Sequence, residues 1–272
     1  SKFLEGIIME IDINLGKLPQ KEKGSLELIE CNTIEEKRRH GLERLASGFR
    51  TFSHFGFDEG VAGHITFRDP EFEHHFWVNP FGMHFGQICV SDLVLVDRNG
   101  EVVLGDRPVN TAAFAIHSRL HEARPDVNAA AHSHSMYGKS FSSMGRKLEP
   151  ITQDSCAFFE DHVLFDDFTG VVLETDEGDR IANALGDKRA AILKNHGLLT
   201  TGETVDAAVW GFLSMDRCCQ SQMIAESVGQ MERIPDETAA MTKEQVGSEL
   251  GMWVMYQPIY DLMLEKDDSF LN

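Results

Sequence analysis

Two histidines separated by a single residue, His132 and His134, are well suited to bind one metal ion. They follow a small, mostly apolar run that is typical of a buried strand. Side chains at positions i and i+2 of a strand point to the same face of the sheet, so both imidazoles can face the same ion. A third histidine, His196, follows a second apolar run at residues 190–193. Gly197 comes next and can take a positive φ that turns the chain.

Three histidines at strand ends are the ligand set of a catalytic metal site. Neutral imidazoles bind zinc, iron, manganese or copper, and three of them leave at least one coordination position for water or substrate. The pattern therefore predicts a divalent metal on His132, His134 and His196, with Zn²⁺ as the first choice and Fe²⁺ or Mn²⁺ as alternatives. The competing interpretation is three unrelated core or surface histidines.

Composition narrows the class of protein. The chain has 272 residues, of which 42% are hydrophobic and 25% charged, as in a soluble globular protein. A net charge of −19 argues against nucleic-acid or anionic-membrane partners. No apolar run approaches the roughly 20 residues that cross a bilayer. Five cysteines without CxxC spacing favour a reducing compartment, so we predict a cytoplasmic protein with a small-molecule substrate.

The predicted elements form one α/β domain with an extension at each end. Residues 1–32 are interpreted as an N-terminal arm, 33–232 as the domain and 233–272 as an extension packed on the domain or on a neighbouring subunit. Thr33 and Glu36 form a capping box that opens a helix reaching about Phe55. Strands are then predicted at 63–68, 76–79, 93–97 and 101–104, and helices at 110–124, 135–144, 176–185 and 204–230.

Five short motifs follow one another along the chain: Gly63-His64-Ile65-Thr66, Ser91-Asp92-Leu93, Ala123-Arg124-Pro125-Asp126, His132-Ser133-His134 and Asn195-His196-Gly197. Their order and spacing resemble the class II aldolase/adducin family from about Glu36 to Ser227. The resemblance implies a three-layer α/β/α fold around a central, mainly antiparallel sheet. It also implies a homotetramer with active sites at subunit boundaries, and it makes His132, His134 and His196 the metal ligands.

One residue departs from the family pattern. Aldolases of this family carry a glutamate 19 residues before the first histidine of the pair, where it acts as proton-transferring base, and this chain has Ala113 there. An alanine can neither take a proton nor bind a metal. Three neutral ligands then leave the charge of the metal uncompensated, which strengthens its Lewis acidity and favours hydroxide or an anionic chelating substrate.

Three residues are candidates for the missing acid–base chemistry. Glu160 lies in the polar segment 153–162, His117 lies one helical turn from Ala113, and Tyr137 follows the second ligand closely. Each has an ordinary alternative: an exposed loop carboxylate, a hydrogen-bonded core histidine and a packed tyrosine.

Only parts of the phosphate pocket of sugar-phosphate members remain. The candidates for substrate or anion binding are Gly63, His64, Asn79, Gly82 and Thr111. Glycine turns and backbone N–H groups can still bind an anion, but the pattern does not favour a phosphorylated sugar.

Two classes of function remain. The first is a metal-dependent, lyase-type enzyme acting on a small oxygenated carbon compound by carbon–carbon cleavage, decarboxylation or epimerisation, with an iron-dependent oxygenase on the same fold as the alternative. The second is a non-catalytic, adducin-like scaffold. We favour the enzyme because the resemblance implies that adducin head domains lack the three histidines that this chain has.

Overall fold

A computed structural model describes residue 11 and residues 16–272 of the chain. The predicted N-terminal arm, residues 1–32, therefore lies partly outside the described residues. Its described part, residue 11 and residues 16–32, contains neither helix nor strand.

Within the described residues, eight strands form one sheet in the order β4-β3-β2-β1-β5-β8-β7-β6. Neighbouring strands pair antiparallel except β6 and β7, which are parallel. The predicted mainly antiparallel sheet is confirmed. The strands are β1 (His64–Arg68), β2 (Phe76–Val78), β3 (Val94–Val96), β4 (Val102–Leu104), β5 (Ala129–Ser133), β6 (His162–Phe165), β7 (Ala190–Leu193) and β8 (Gly197–Gly202).

The described residues also form seven α-helices, and the boundaries of the first five follow the predicted ones closely. Two helices, α6 and α7, occupy the C-terminal extension. The helices are α1 (Ile34–Phe55), α2 (Thr111–Ala123), α3 (Met136–Ser142), α4 (Thr175–Leu185), α5 (Val205–Val228), α6 (Asp236–Val246) and α7 (Glu249–Lys266).

The first helix has the ends that its sequence predicts. The Thr33 side chain accepts a hydrogen bond from Glu36 N at 3.1 Å, and the Glu36 carboxylate accepts one from Asn32 N at 2.6 Å. The first bond satisfies a backbone N–H group that has no partner within the helix. The second differs from the predicted capping box, because the carboxylate accepts from Asn32 N and not from the N–H of the N-cap residue Thr33. Gly56 ends the helix at φ 78°, a left-handed conformation that glycine adopts without a steric penalty.

Alternate residues of the central strand β5 face opposite layers of helices. Ala129 and Ala131 belong to the larger hydrophobic core, which includes residues of α1, α5 and α7. Ala130 belongs to a separate core formed with α2 and α4. The side chains of a strand alternate between the two faces with a period of two residues, so the sheet lies between two helical layers. This arrangement confirms the predicted three-layer α/β/α fold.

The C-terminal extension packs on its own domain. The Tyr256 hydroxyl lies 2.9 Å from both Ser47 Oγ and Thr51 Oγ1 of α1. Arg44 of α1 donates a hydrogen bond to Gln257 of α7 at 3.2 Å. The two helices are therefore joined by buried polar contacts as well as by the apolar core.

Strand β6 was not predicted. The sequence pattern indicates a polar segment up to His162, whereas His162 begins a strand that pairs in parallel with β7. Val163 and Leu164 are only partly buried, so the strand lacks a strong apolar signal at the edge of the sheet.

Among the described residues, no helix combines the length and apolar character needed to cross a membrane.

The close contact between α2 and α4 provides a test of this packing. A Cβ atom at Gly178 would lie 1.9 Å from the backbone oxygen of Ala115, so the two helices must separate in Gly178→Ala. An interior glycine-to-alanine change otherwise favours a helix by about 1 kcal/mol. We expect a net loss of about 1–3 kcal/mol in the free energy of unfolding, measured by urea denaturation.

The control for this experiment is Asn183→Ala on the exposed side of the same helix. This change should alter stability by no more than about 0.5 kcal/mol. Gly178→Ala with wild-type or higher stability would contradict the contact between α2 and α4.

Candidate metal centre

The pairing of β5 places the first candidate ligand. His132 lies opposite His64 of β1 and opposite Leu199 of β8. Its Nδ1–H donates a hydrogen bond to the Leu198 carbonyl at 2.8 Å. This bond fixes the ring and leaves Nε2 as the nitrogen that can bind a metal, an arrangement common for metal-binding histidines.

The other two candidate ligands lie just beyond strand ends at the same edge of the sheet. His134 follows the last residue of β5, and His196 lies in the turn between β7 and β8. In that turn Asn195 takes the positive φ, 58°. The expectation that Gly197 would take it is wrong. Glycine is needed there for space, because a Cβ atom would lie 2.7 Å from the Ser133 carbonyl oxygen.

The three rings converge as the sequence predicts. Their centroids are 5.2 Å (His132–His134), 4.6 Å (His132–His196) and 4.8 Å (His134–His196) apart. One nitrogen from each ring lies within 4.8 Å of the other two, and this is the one group of three or more potential metal ligands found among the described residues. The donor set and its spacing fit a divalent ion with an open coordination position.

Burial keeps these rings in the neutral form that binds metals. Desolvation lowers the pKa of His132 well below its ordinary value, with a smaller contribution from repulsion by His196. The pKa of His196 falls to about 4 and that of His134 is also lowered, in both cases mainly through burial. At neutral pH all three nitrogens can therefore donate a lone pair without first losing a proton.

A cavity of about 670 Å³ opens over the three histidines. Lys139 of α3 lies on its wall and forms a 3.1 Å ion pair with Glu59. Much of the remaining wall is apolar, and it includes side chains of α2 and of the segment between β6 and α4. These apolar residues are Val61, Ala62, Ile116, Phe168, Val171 and Val172.

Two of the predicted anion-binding residues line this cavity. Gly63 has φ 98°, and a Cβ atom there would lie 3.0 Å from the His132 carbonyl oxygen. His64 follows it at the start of β1. Thr111, Asn79 and Gly82 are not among the lining residues, so their binding roles stay predictions.

The position of the absent glutamate is closed by apolar packing. Ala113 is fully buried in a small cluster with Phe76, Val78, Val94 and Val96. The neighbouring α2 residues Asn110, Ala112 and Ile116 line the cavity instead.

The candidate acid–base residues occupy different places. His117 is fully buried behind His64, with 2.7 Å between its Nε2 and His64 Nδ1. Glu160 has φ 53° in the turn before β6, and Tyr137 packs against the larger core. Neither Glu160 nor Tyr137 is among the cavity-lining residues, so a catalytic role for either stays a prediction.

The sequence analysis did not identify several polar residues that line the cavity, among them Lys139 and Asn110. Lys139 could have been found, because it lies in the helix directly after the histidine pair. Asn110 caps α2 by accepting a hydrogen bond from Ala112 N at 2.9 Å, and it also faces the cavity.

Two known proteins with similar sequences carry the names of enzymes. Decarboxylase NovR of Streptomyces niveus is 49% identical over 87% of this chain and 88% of its own length. A 4-hydroxy-3-prenylphenylpyruvate oxygenase/4-hydroxy-3-prenylbenzoate synthase of Streptomyces roseochromogenus subsp. oscitans is 48% identical over 87% of this chain and 86% of its own.

This chain is also similar to a solved structure. The L-fuculose 1-phosphate aldolase from Glaciozyma antarctica PI12 superposes with a TM-score of 0.83 and 44% sequence identity, covering 88% of this chain and 94% of that chain. The model of the class II aldolase and adducin N-terminal domain matches residues 43–223. The fold, the order of motifs and these similarities together show that this chain belongs to the class II aldolase/adducin family.

Proposed function

We propose that this protein is a divalent-metal-dependent enzyme that breaks the carbon–carbon bond next to the carboxylate of a small oxygenated acid with an apolar substituent. The observation that carries the proposal is the group of three neutral histidines without a carboxylate, at the base of a cavity with a lysine and an apolar wall. A 2-oxo acid with an aromatic side chain matches these features.

His132, His134 and His196 would hold the metal through their imidazole nitrogens. When bound, the ion supplies a Lewis acid that polarises substrate oxygens. Because all three ligands are neutral, the site keeps a double positive charge and favours an anionic substrate that binds through two oxygens. Zn²⁺, Fe²⁺ and Mn²⁺ all suit this donor set.

The rest of the cavity would orient the substrate. Lys139 provides a cation for the carboxylate, although Glu59 offsets part of its charge. Ile116, Phe168 and Val172 provide an apolar surface for a hydrophobic side chain. A compound that is anionic at one end and apolar at the other therefore complements both parts of the cavity.

The names of the two Streptomyces relatives support this substrate class. One is called a decarboxylase, and the other an oxygenase of a prenylated phenylpyruvate, which is an aromatic 2-oxo acid. The similarity to an L-fuculose 1-phosphate aldolase alone would favour aldol cleavage. Ala113 argues against that reaction, because the proton-transferring base of the aldolases is absent and its position lies in an apolar cluster.

Oxygen dependence separates two versions of the proposed reaction. Without oxygen, the enzyme would be a lyase that releases the carboxylate as CO₂. With Fe²⁺ and oxygen, it would be an oxygenase that consumes one O₂ for each CO₂ released, and the name of the second Streptomyces relative favours this version. The assembly as a homotetramer and a cytoplasmic location stay predictions, as does a non-catalytic scaffold role.

The first prediction of the proposed function concerns the substrate. Protein purified without chelator and loaded with Fe²⁺ or Zn²⁺ should release CO₂ from phenylpyruvate-type acids, with oxygen uptake measured in parallel. Lys139→Met should raise KM about tenfold or more by removing the cation, whereas Lys147→Met on the exposed surface should not. Absence of CO₂ release with every metal would refute the decarboxylation, and release without oxygen uptake would refute the oxygenase version.

The second prediction concerns the metal. The double substitution His132→Ala/His134→Ala leaves one ligand, so metal affinity should fall by more than about 100-fold, measured by elemental analysis and by titration with Zn²⁺. His74→Ala, which removes an exposed histidine, is the matched control and should bind metal as the wild type does. Normal metal content in the double variant would show that these histidines are not the ligands.

A further inference from the structure

A continuous series of buried side chains runs from the cavity wall into the core beneath α2. His64 Nδ1 lies 2.7 Å from His117 Nε2, and His117 Nδ1 lies 2.6 Å from Thr66 Oγ1. Thr66 Oγ1 is also 2.8 Å from His121 Nε2, and His121 Nδ1 is 3.3 Å from the Val127 carbonyl oxygen. The three rings and the threonine are almost completely excluded from solvent.

The carbonyl group at the inner end sets the direction of every hydrogen bond in this series. A carbonyl oxygen only accepts, so His121 Nδ1 must donate to Val127, and Nε2 of the neutral ring is then bare. Thr66 has one hydroxyl proton, which it donates to His121, so it accepts from His117 Nδ1–H. His117 Nε2 is consequently bare and accepts from His64 Nδ1–H. The last ring therefore has a bare Nε2.

The rings must be neutral for this series to hold, and their surroundings favour the neutral form. Burial lowers the pKa of His64 and of His117 well below the ordinary value, and repulsion between the rings adds to the effect. Burial, with the nearby Arg68 cation, lowers the pKa of His121 to about 3. The direction of the hydrogen bonds depends on which nitrogen of each neutral ring carries the hydrogen. No ring has to gain or lose a charge.

Reversal of the series is disfavoured at its inner end. A reversed series would place a bare His121 Nδ1 against the Val127 oxygen, with lone pairs facing each other and no proton between them. Arg68 also donates to this oxygen, with 2.9 Å between Nη2 and O, but it brings no hydrogen to His121 Nδ1. A buried polar atom without a partner costs about 1–3 kcal/mol, which would disfavour the reversed form.

The outer end of the series lies at the candidate metal centre. His64 is paired with His132 in the sheet, their ring centroids are 5.0 Å apart, and His64 lines the cavity. Its Nε2 has no hydrogen-bond partner within the described part of the chain. The cavity therefore has a fixed hydrogen-bond acceptor beside the three histidines.

We propose that His64 determines substrate specificity: its bare Nε2 accepts a hydrogen bond from a hydroxyl group of the ligand held at His132, His134 and His196. Thr66, His117 and His121 are positioning residues that fix this tautomer. A carboxylate or phosphate oxygen is excluded from this place because it would face the lone pair of the ring. The ligand is a hydroxy acid or the enol form of a 2-oxo acid, an assignment that rests on the proposed function.

Nitrogen-15 NMR of protein labelled at histidine tests the tautomer directly, because protonated and bare ring nitrogens have well-separated shifts. The zinc-loaded wild type should show His64 with Nδ1–H and a bare Nε2, its signals being assigned by their loss in His64→Phe. Thr66→Val interrupts the series and should give a mixture of tautomers, whereas Thr66→Ser retains the hydroxyl and should restore the wild-type pattern. A His64 ring protonated at Nε2 in the wild type would overturn the proposal.

A binding experiment tests the recognition. Titration of the zinc-loaded protein with 3-phenyllactate and with its O-methyl ether compares a ligand that has the donor with one that lacks it. The preference for the hydroxyl form should be about tenfold greater in the wild type than in His64→Phe, since one hydrogen bond contributes about 1.4 kcal/mol. Metal chelation affects both proteins alike and cancels in this ratio.

The outcomes separate the two proposals. Equal preferences in wild type and His64→Phe would overturn the role of His64 even if the tautomer is as expected. Failure of the wild type to bind Zn²⁺ would overturn the proposed function and, with it, the recognition role, while the NMR measurement would still decide the tautomer in the metal-free protein.

Discussion

The register of β5 between β1 and β8 is the constraint on which the candidate site depends. The side chains of this strand alternate between the two faces of the sheet, so a shift of one residue would turn His132 from the α2 side of the sheet to the opposite core. The observed register pairs His132 with His64 and with Leu199. Gly63 and Gly197 allow the backbone on either side of β5 to lie close to it, because a side chain at either position would press on the backbone of β5. The same pairing that holds the central strands together thus aligns the histidines.

Features that depend on neighbouring residues can be predicted from the sequence, whereas features that depend on contacts between distant residues cannot. The helix that starts after Thr33 and the histidine pair rest on neighbouring residues, so their pattern in the chain is sufficient. The third ligand, His196, was found because it also ends an apolar run. Strand β6 was missed because half of its residues are only partly buried and its partner in the sheet is a parallel strand. Asn195 took the positive φ expected of Gly197, since either residue type tolerates that conformation and only the packing of β8 on β5 decides between them.

The hydrogen bond between His64 and His117 could not have been predicted from the sequence pattern. The two residues are 53 positions apart, and a hydrogen bond joins them only because α2 lies across the face of β1 that also carries Thr66. The sequence pattern correctly placed His117 one turn from Ala113, and it suggested that His117 could replace the lost base. In the structure His64 stands between His117 and the cavity, so any effect of His117 on a ligand must act through that ring.

The loss of the aldolase carboxylate and the presence of the buried histidines have a common electrostatic consequence. A glutamate beside the metal would offset half of a double positive charge and would accept protons readily. Ala113 lies in an apolar cluster, and in our proposal His64 supplies a neutral acceptor beside the three histidines. A neutral acceptor can orient a hydroxyl group without reducing the attraction of the metal for an anion. The three histidines of the candidate metal centre therefore lie among neutral groups, and this distribution of charge supports our proposal of a chelating acid, rather than a sugar phosphate, as substrate.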